Sequence, residues 1–343
     1  FAYAGTCLNT QGYWAQRLFP SGFRKQFLGR YWFRKIPQIL KERSPGCDLL
    51  LTETNDLTSK ILSQKPGFKT ARWVRMEIDI SKPLKKIWKR GKNDVPRRIR
   101  KHKLECEMTR DLTSLEDFYF NMHLPYIKAR FEATVDLPSY SETKKMLSIG
   151  ELFLIKKQDR TLAGTLLEYH KNKPKMRILG VRDGNWEYVR YGVVGATYYF
   201  SIIEMQKRGF KKLHIGGTRP ILNDGLTKYK ISISAEIIPE KPTFKYSLWM
   251  TLLKDSPSLR DFLTKNPFVY FSKENKPCRA FFMKKNQDMT RNEFQKKYRL
   301  TNCGGLEKTK IFLFDTDTTL SECLCSIPDA HAHIEPAHLR FIK

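Results

Sequence analysis

Two places in the chain bring together residue types that can do chemistry. Glu168 and His170 lie two apart in Leu162–His170, a segment that reads as a strand. Both side chains therefore project to the face shared by Leu162, Gly164 and Leu166. A carboxylate and an imidazole on one partly apolar face can accept a proton from a nucleophile; the plainer reading is two solvent-facing residues at a strand end. The second place is Arg190-Tyr191-Gly192-Val193-Val194-Gly195-Ala196, between a strand and a helix. Glycines there let the backbone approach a ligand closely, and a helix N-terminus offers free N–H groups and partial positive charge. A pyrophosphate could sit on Arg190, Gly192, Gly195 and Ala196. The alternative is a turn that merely packs the helix on its sheet.

Charge supplies a third feature. The 343 residues include 63 Lys+Arg against 35 Asp+Glu, a net charge of +28. Such an excess attracts nucleic acid, anionic lipid or phosphorylated ligands and says nothing of fold. It is uneven: Lys82–Lys103 contains Asp94 as its single acid, and Arg97, Arg98, Arg100, Lys101 and Lys103 are candidate polyanion contacts. Their bland reading is a solvated helix face. Cys323, Cys325, His331, His333 and His338 are all zinc-ligand types, but their spacing matches no common closed site, and no metal is expected. The seven cysteines are scattered and odd in number, which suits reduced thiols in a cytoplasmic chain. The longest apolar stretch, Tyr191–Met205, is too short to span a bilayer and is flanked by Arg190 and Lys207, so only peripheral membrane contact is expected. Hydrolase elbows, zinc-protease helices and phosphate-binding Gly-Lys-Thr/Ser loops are missing from the sequence. His123 lies on an apolar helix face and reads as a core histidine.

The elements that must position these residues follow from patterning. Leu18–Arg43 reads as an aromatic, basic helix, and Leu49-Leu50-Leu51 as a short strand. Residues 72–80 alternate as a strand, and Leu104–Thr109 reads as another. Thr113-Ser114-Leu115-Glu116 and Ser139-Tyr140-Ser141-Glu142 have the form of capping boxes at helix starts. Leu152–Lys156, Leu162–His170 and Met176–Val181 are separated by connectors short enough for antiparallel hairpins. A helix over Val193–Lys207 ends at Lys207-Arg208-Gly209, and Lys212–Ile215 is a buried strand. Strand, strand, strand, loop, helix, strand describes an α/β sandwich: a mixed, mostly antiparallel sheet flanked by helices. Beyond Glu236, Phe244–Leu253 and Leu259–Thr264 read as helices, Arg279–Lys284 as a strand, and the tail after Ser321 as irregular. The expected organisation is an accessory unit at 1–70, a central domain at 71–236 and a C-terminal extension at 237–343.

This order, with its glycine-bearing loop, resembles the GNAT acyltransferases, whose donor loop reads Gln/Arg-x-x-Gly-x-Gly/Ala. Arg190 matches the first position and Gly195 the last; Val193 stands where the middle Gly belongs. The run Gly216-Gly217-Thr218-Arg219-Pro220-Ile221-Leu222-Asn223-Asp224-Gly225-Leu226-Thr227-Lys228-Tyr229-Lys230 is similar to the branch related to the Fem-type peptidyltransferases. The resemblance covers roughly residues 72–236. It implies direct transfer of an acyl group to an amine acceptor, from acyl-CoA or from aminoacyl-tRNA, with no metal. Under it, Arg219, Asn223, Asp224, Tyr229 and Lys230 would line the acceptor side, Glu168 or His170 would take the amine proton, and Tyr198 would protonate the leaving group. The amine must arrive neutral and the tetrahedral oxyanion needs fixed donors. The competing expectation is a non-catalytic nucleic-acid-binding protein on the same fold, which Val193 and the basic segment favour.

Overall fold

The computed structural model describes residues 1–62, 67–88, 94–131, 137–170, 173–239, 247–284, 291–314 and 332–334. Among them run strands β1 (Ala2–Ala4), β2 (Leu49–Thr54), β3 (Phe68–Ala71), β4 (Val74–Asp79), β5 (Leu104–Thr109), β6 (Gly150–Lys157), β7 (Arg160–His170) and β8 (Lys173–Val181). They continue as β9 (Lys212–Thr218), β10 (Ala235–Ile237), β11 (Ser247–Leu252), β12 (Phe268–Phe271), β13 (Pro277–Lys284), β14 (Lys308–Phe314) and β15 (Ala332–Ile334). Two compact units result: residues 1–74, 218–228 and 237–343 form one, and residues 75–217 and 229–236 form the other.

The second unit is built on a seven-stranded sheet of order β10-β4-β9-β8-β7-β6-β5. β5 through β8 pair antiparallel, and β8 then meets β9 in parallel. This is the mixed, mostly antiparallel sheet that the sequence order implies. Helix Val193–Lys207 is the crossover, and Gly209 at φ +80 takes the left-handed position that ends it. Val193 and Ala196 of that helix pack with Ile155, Leu162 and Val181. Leu115, Phe118 and Met122 pack with Leu152, Leu154 and Leu166 in a separate cluster. Ser139 and Glu142 form the expected capping box. At the other candidate box Asp111 is the cap instead, accepting from the Ser114 N–H at 2.7 Å, because the helix starts two residues earlier, at Leu112.

The helix that follows widens into a π turn at Tyr119–His123. It lies against β8, where a Cβ on Gly180 would stand 2.5 Å from His123 N and 2.6 Å from Met122 C. His123 is buried, with Nδ1 donating to the Leu179 carbonyl at 2.8 Å. Burial pushes its pKa down, and it is the neutral core histidine expected.

The first unit holds two four-stranded sheets, β1-β2-β11-β3 and β12-β13-β14-β15. Its core is aromatic: the Phe68 ring stands edge-on to Phe268 and to Phe312, each at 5.3 Å. β11 corrects the helix read over Phe244–Leu253, whose first residues lie outside the described set. It lies between β2 and β3, and Leu248–Leu252 are buried, so the sequence shows a continuous apolar run in place of alternation. Because β2 and β11 pair, residues 1–70 and 237–343, read as separate extensions, contribute to one sheet. The continuous helix read over Leu18–Arg43 is also corrected. Helices cover Leu8–Leu18 and Ile36–Arg43, and the stretch between holds only a short 3-10 turn at Phe33–Lys35. The proposed Cys/His group lies outside the described residues, except that His333 falls in β15. No described helix is long and apolar enough to cross a membrane.

Candidate active site

The chemistry-bearing residues of the second unit converge on the junction of β8 and β9. Their parallel ladder consists of the single pair Lys175↔His214. Gly216 explains why it stops: φ +74 turns β9 out of the extended conformation, and its N–H goes to His214 Nδ1 at 3.2 Å. A Cβ on Gly216 would find nothing nearer than Met176 O at 3.7 Å, with Lys230 Nζ at 3.9 Å. Met176, Gly216, Lys230 and His214 therefore lie together at this junction.

Lys230 is the dominant group there. It is 3% exposed, and its Nζ donates to the carbonyls of Ile215 and Gly217, each at 2.8 Å. No carboxylate pairs with it among the described residues, and burial lowers its pKa to about 7. At neutral pH the amine is thus partly unprotonated: two of its positions hold carbonyls, and the third carries either a proton or a lone pair.

His214 is its neighbour in β9. Burial first, then the cations Lys175, Arg75, Lys230 and Arg177, bring its pKa down to about 4. Because Nδ1 accepts the Gly216 N–H, the ring carries its proton on Nε2. We expect its ring proton resonances to hold constant from pH 8 to about pH 5.5 and to move only near pH 4. A titration near pH 6.5 would show a solvated ring.

Across the sheet from His214, Lys175 pairs with Glu168 of β7, so three titratable residues stand in one row: Glu168, Lys175, His214. A bulge opposite Leu166 and Leu167 leaves Arg177 unpaired in register, and its Nε meets Glu168 Oε2 at 3.1 Å. Glu168 is 7% exposed, which excludes the solvent-facing reading of its carboxylate. His170 continues β7 and pairs in register with Lys173. Tyr198 is buried and Tyr229 half-buried with its hydroxyl enclosed; their ring centroids are 5.5 Å apart, and desolvation raises both phenol pKa values.

The loop residues are placed differently from the sequence reading. Arg190 and Tyr191 end a short helix, Trp186–Tyr191, and Gly192 at φ +94 links it directly to helix Val193–Lys207. Helix Val95–His102 covers this junction. A Cβ on Gly195 would stand 2.5 Å from a Val95 methyl, one on Gly192 would stand 2.9 Å from Arg98 Cδ, and Arg98 Nη1 donates to Arg190 O at 3.0 Å. Gly195 and Ala196 are buried in that contact. Arg97 pairs with Asp94, while Arg100, Lys101 and Lys103 are exposed.

Arg219, Asn223 and Asp224 belong to the first unit. Arg219 is buried with its guanidinium 4.0 Å from the Trp73 ring centre and 4.7 Å from that of Tyr13. Asn223 accepts from Arg17 and donates to Lys265 O at 2.5 Å; Asp224 accepts from the Leu226 N–H at 3.0 Å and the Tyr13 hydroxyl at 3.4 Å. Lys175, Arg177 and His214 were missed in the sequence. The available signal was one imidazole inside the apolar run Leu213–Ile215, immediately before Gly216-Gly217.

No protein-family model and no curated protein matches the chain. Among solved structures, it is similar to FemX, with TM-score 0.39 and 13% identity over 66% of this chain and 78% of that one. It is also similar to the C-terminal domain, DUF2156, of a protein named as a lysylphosphatidylglycerol synthetase from Agrobacterium fabrum: TM-score 0.38, 11% identity, 63% of this chain and 71% of that one. A third likeness is to a GCN5-related N-acetyltransferase from Sphaerobacter thermophilus, with TM-score 0.32 and 10% identity over 63% of this chain and 64% of that one. These are likenesses in the path of the chain, and they say nothing of the residues that would react.

Proposed function

We propose that the protein is an N-acyltransferase, moving an acyl group from an acyl-CoA thioester to an amine by direct attack. The observation that carries this reading is Lys230, a buried amine with pKa about 7 held by two carbonyls of β9. An attacking ammonium must lose a proton before it can act, and a base poised near the working pH removes it best. With two N–H groups held by Ile215 O and Gly217 O, neutral Lys230 turns its lone pair to the third position and takes that proton. The amine nitrogen bonds to the carbonyl carbon, the C–S bond breaks, and the leaving thiolate takes the second proton that the attacking nitrogen loses on becoming an amide. His214, neutral at working pH, offers Nε2–H to the developing oxyanion. Glu168 holds Arg177 and orients its guanidinium, so its role is positioning rather than proton removal.

A set of acyl-CoA thioesters and simple primary amines tests the reading through thiol release and product mass. The expected result is amide formation whose rate rises with pH and levels off above about 7. No transfer with any thioester would sink the acyl-CoA version. The exposed cations Arg100, Lys101 and Lys103 favour a second reading, in which the donor is aminoacyl-tRNA. Transfer that needs tRNA and weakens steeply with salt would establish it in place of the first.

A further inference from the structure

Between helix Leu8–Leu18 and the turn Phe33–Lys35, the first unit carries a stretch of chain with no regular secondary structure. It is unusual in what it exposes. Phe27 and Trp32 are each 81% exposed, and Phe19, Phe23 and Tyr31 are exposed as well. Arg24, Lys25, Arg30, Arg34 and Lys35 accompany them, and the first acid in the chain is Glu42. Large apolar rings and cations side by side, with no anion among them, form a surface that water alone does not favour.

The spacing adds direction. Phe19, Phe23, Phe27 and Tyr31 recur every fourth residue, so a helix would set them along one face. That helix is absent. Gly22 and Gly29 each disfavour it by about 1 kcal/mol relative to Ala, and the four rings are exposed, so the burial that would stabilise such a helix is not gained. Instead the chain is held at Leu28, whose carbonyl accepts from the Tyr31 hydroxyl and Arg43 Nη1 at 2.9 and 3.1 Å.

We infer that residues 19–35 are a membrane-contact segment that takes up an amphipathic helix on a bilayer surface rich in anionic lipid. The phenyl rings enter the boundary between headgroups and acyl chains, Trp32 and Tyr31 sit at headgroup level, and the five cations meet lipid phosphates. Nucleic acid is the less suited partner. Three Phe side chains offer no hydrogen bonds to bases, and stacking proteins hold their aromatics on a rigid sheet or groove, which this stretch lacks.

Vesicle sedimentation of the full chain tests this, using phosphatidylcholine alone and phosphatidylcholine mixed with phosphatidylglycerol. We expect binding only to the mixed vesicles, a blue shift of tryptophan emission that disappears in Trp32→Phe, and a gain of helical circular dichroism. Phe23→Ser/Phe27→Ser should weaken binding by about tenfold or more while leaving thermal unfolding unchanged, since both positions are exposed. Equal behaviour with the two vesicle types, or binding that survives the double substitution, would overturn the inference. So would tight binding of a single-stranded oligonucleotide with no binding to vesicles.

Discussion

Lys230→Met is expected to lower amine acylation by about 10²–10⁴-fold while the protein stays folded, because it removes the proton acceptor and leaves the shape. Stability provides an independent readout. In the folded chain Lys230 has a pKa of about 7, against an ordinary value of 10.5. Between those values the unfolded chain binds a proton that the folded chain does not. Wild-type stability therefore rises as pH climbs through that window and falls as pH drops towards the folded pKa. The Met variant should lack this slope. At pH 6, where the wild-type cation is buried without a carboxylate, the variant should lose less on denaturation than two orphaned carbonyls would suggest. A variant with wild-type rates across pH would remove Lys230 from the chemistry. A variant with an unchanged stability slope would show that the amine titrates in water.

Gly180→Val is expected to destabilise the second unit strongly. The nearest atoms to a Cβ there are backbone atoms of the π turn, which cannot rotate aside as a side chain can. Overpacking of this kind costs about 3 kcal/mol, which in a unit of this size lowers the unfolding midpoint by about 10 °C. Gly216→Ala makes the comparison informative. Its φ of +74 penalises any side chain by about 1–2 kcal/mol, but a Cβ there meets its nearest neighbour only at an ordinary contact distance of 3.7 Å. Gly216→Ala should therefore fold, with a smaller loss of stability. If Gly180→Val unfolds no earlier than Gly216→Ala, the close seat of the π turn on β8 is wrong.

Much of the second unit was legible because its strands are short apolar runs set apart by brief polar connectors. The hairpins from β6 to β8, the 193–207 helix and the Ser139 box all follow from local rules. β11 was not legible, since a strand covered on both sides loses the period that betrays it. Lys230 could be named from sequence, through resemblance, but not its environment. Its Nζ is held by the carbonyls on either side of Gly216, and a positive φ there is invisible in a Gly-Gly pair. The same limit explains Gly192 and Gly195. Glycine permits a ligand or a neighbouring helix equally, and only the position of Val95 distinguishes the two. The aromatic run at 19–35 shows the opposite failure: helical spacing is present, but the rings stay exposed and the helix does not form.

The pairing of β2 with β11 also sets an order of events during synthesis. Thr54 and its hydrogen-bond partner Ser247 are 193 positions apart. At ribosomal speeds of about 5–20 residues per second, β2 leaves the exit tunnel about 10–40 s before the strand that completes its sheet. In that interval Leu49, Leu50 and Leu51 have no cross-strand partner beyond the three-residue β1, while β5 to β9 emerge close together and can pair at once. The nascent chain thus presents a bare hydrophobic strand at the time when its most local sheet is assembling. That strand is where a holding chaperone would matter, and where slowed translation before residue 247 would raise the yield of misfolded protein.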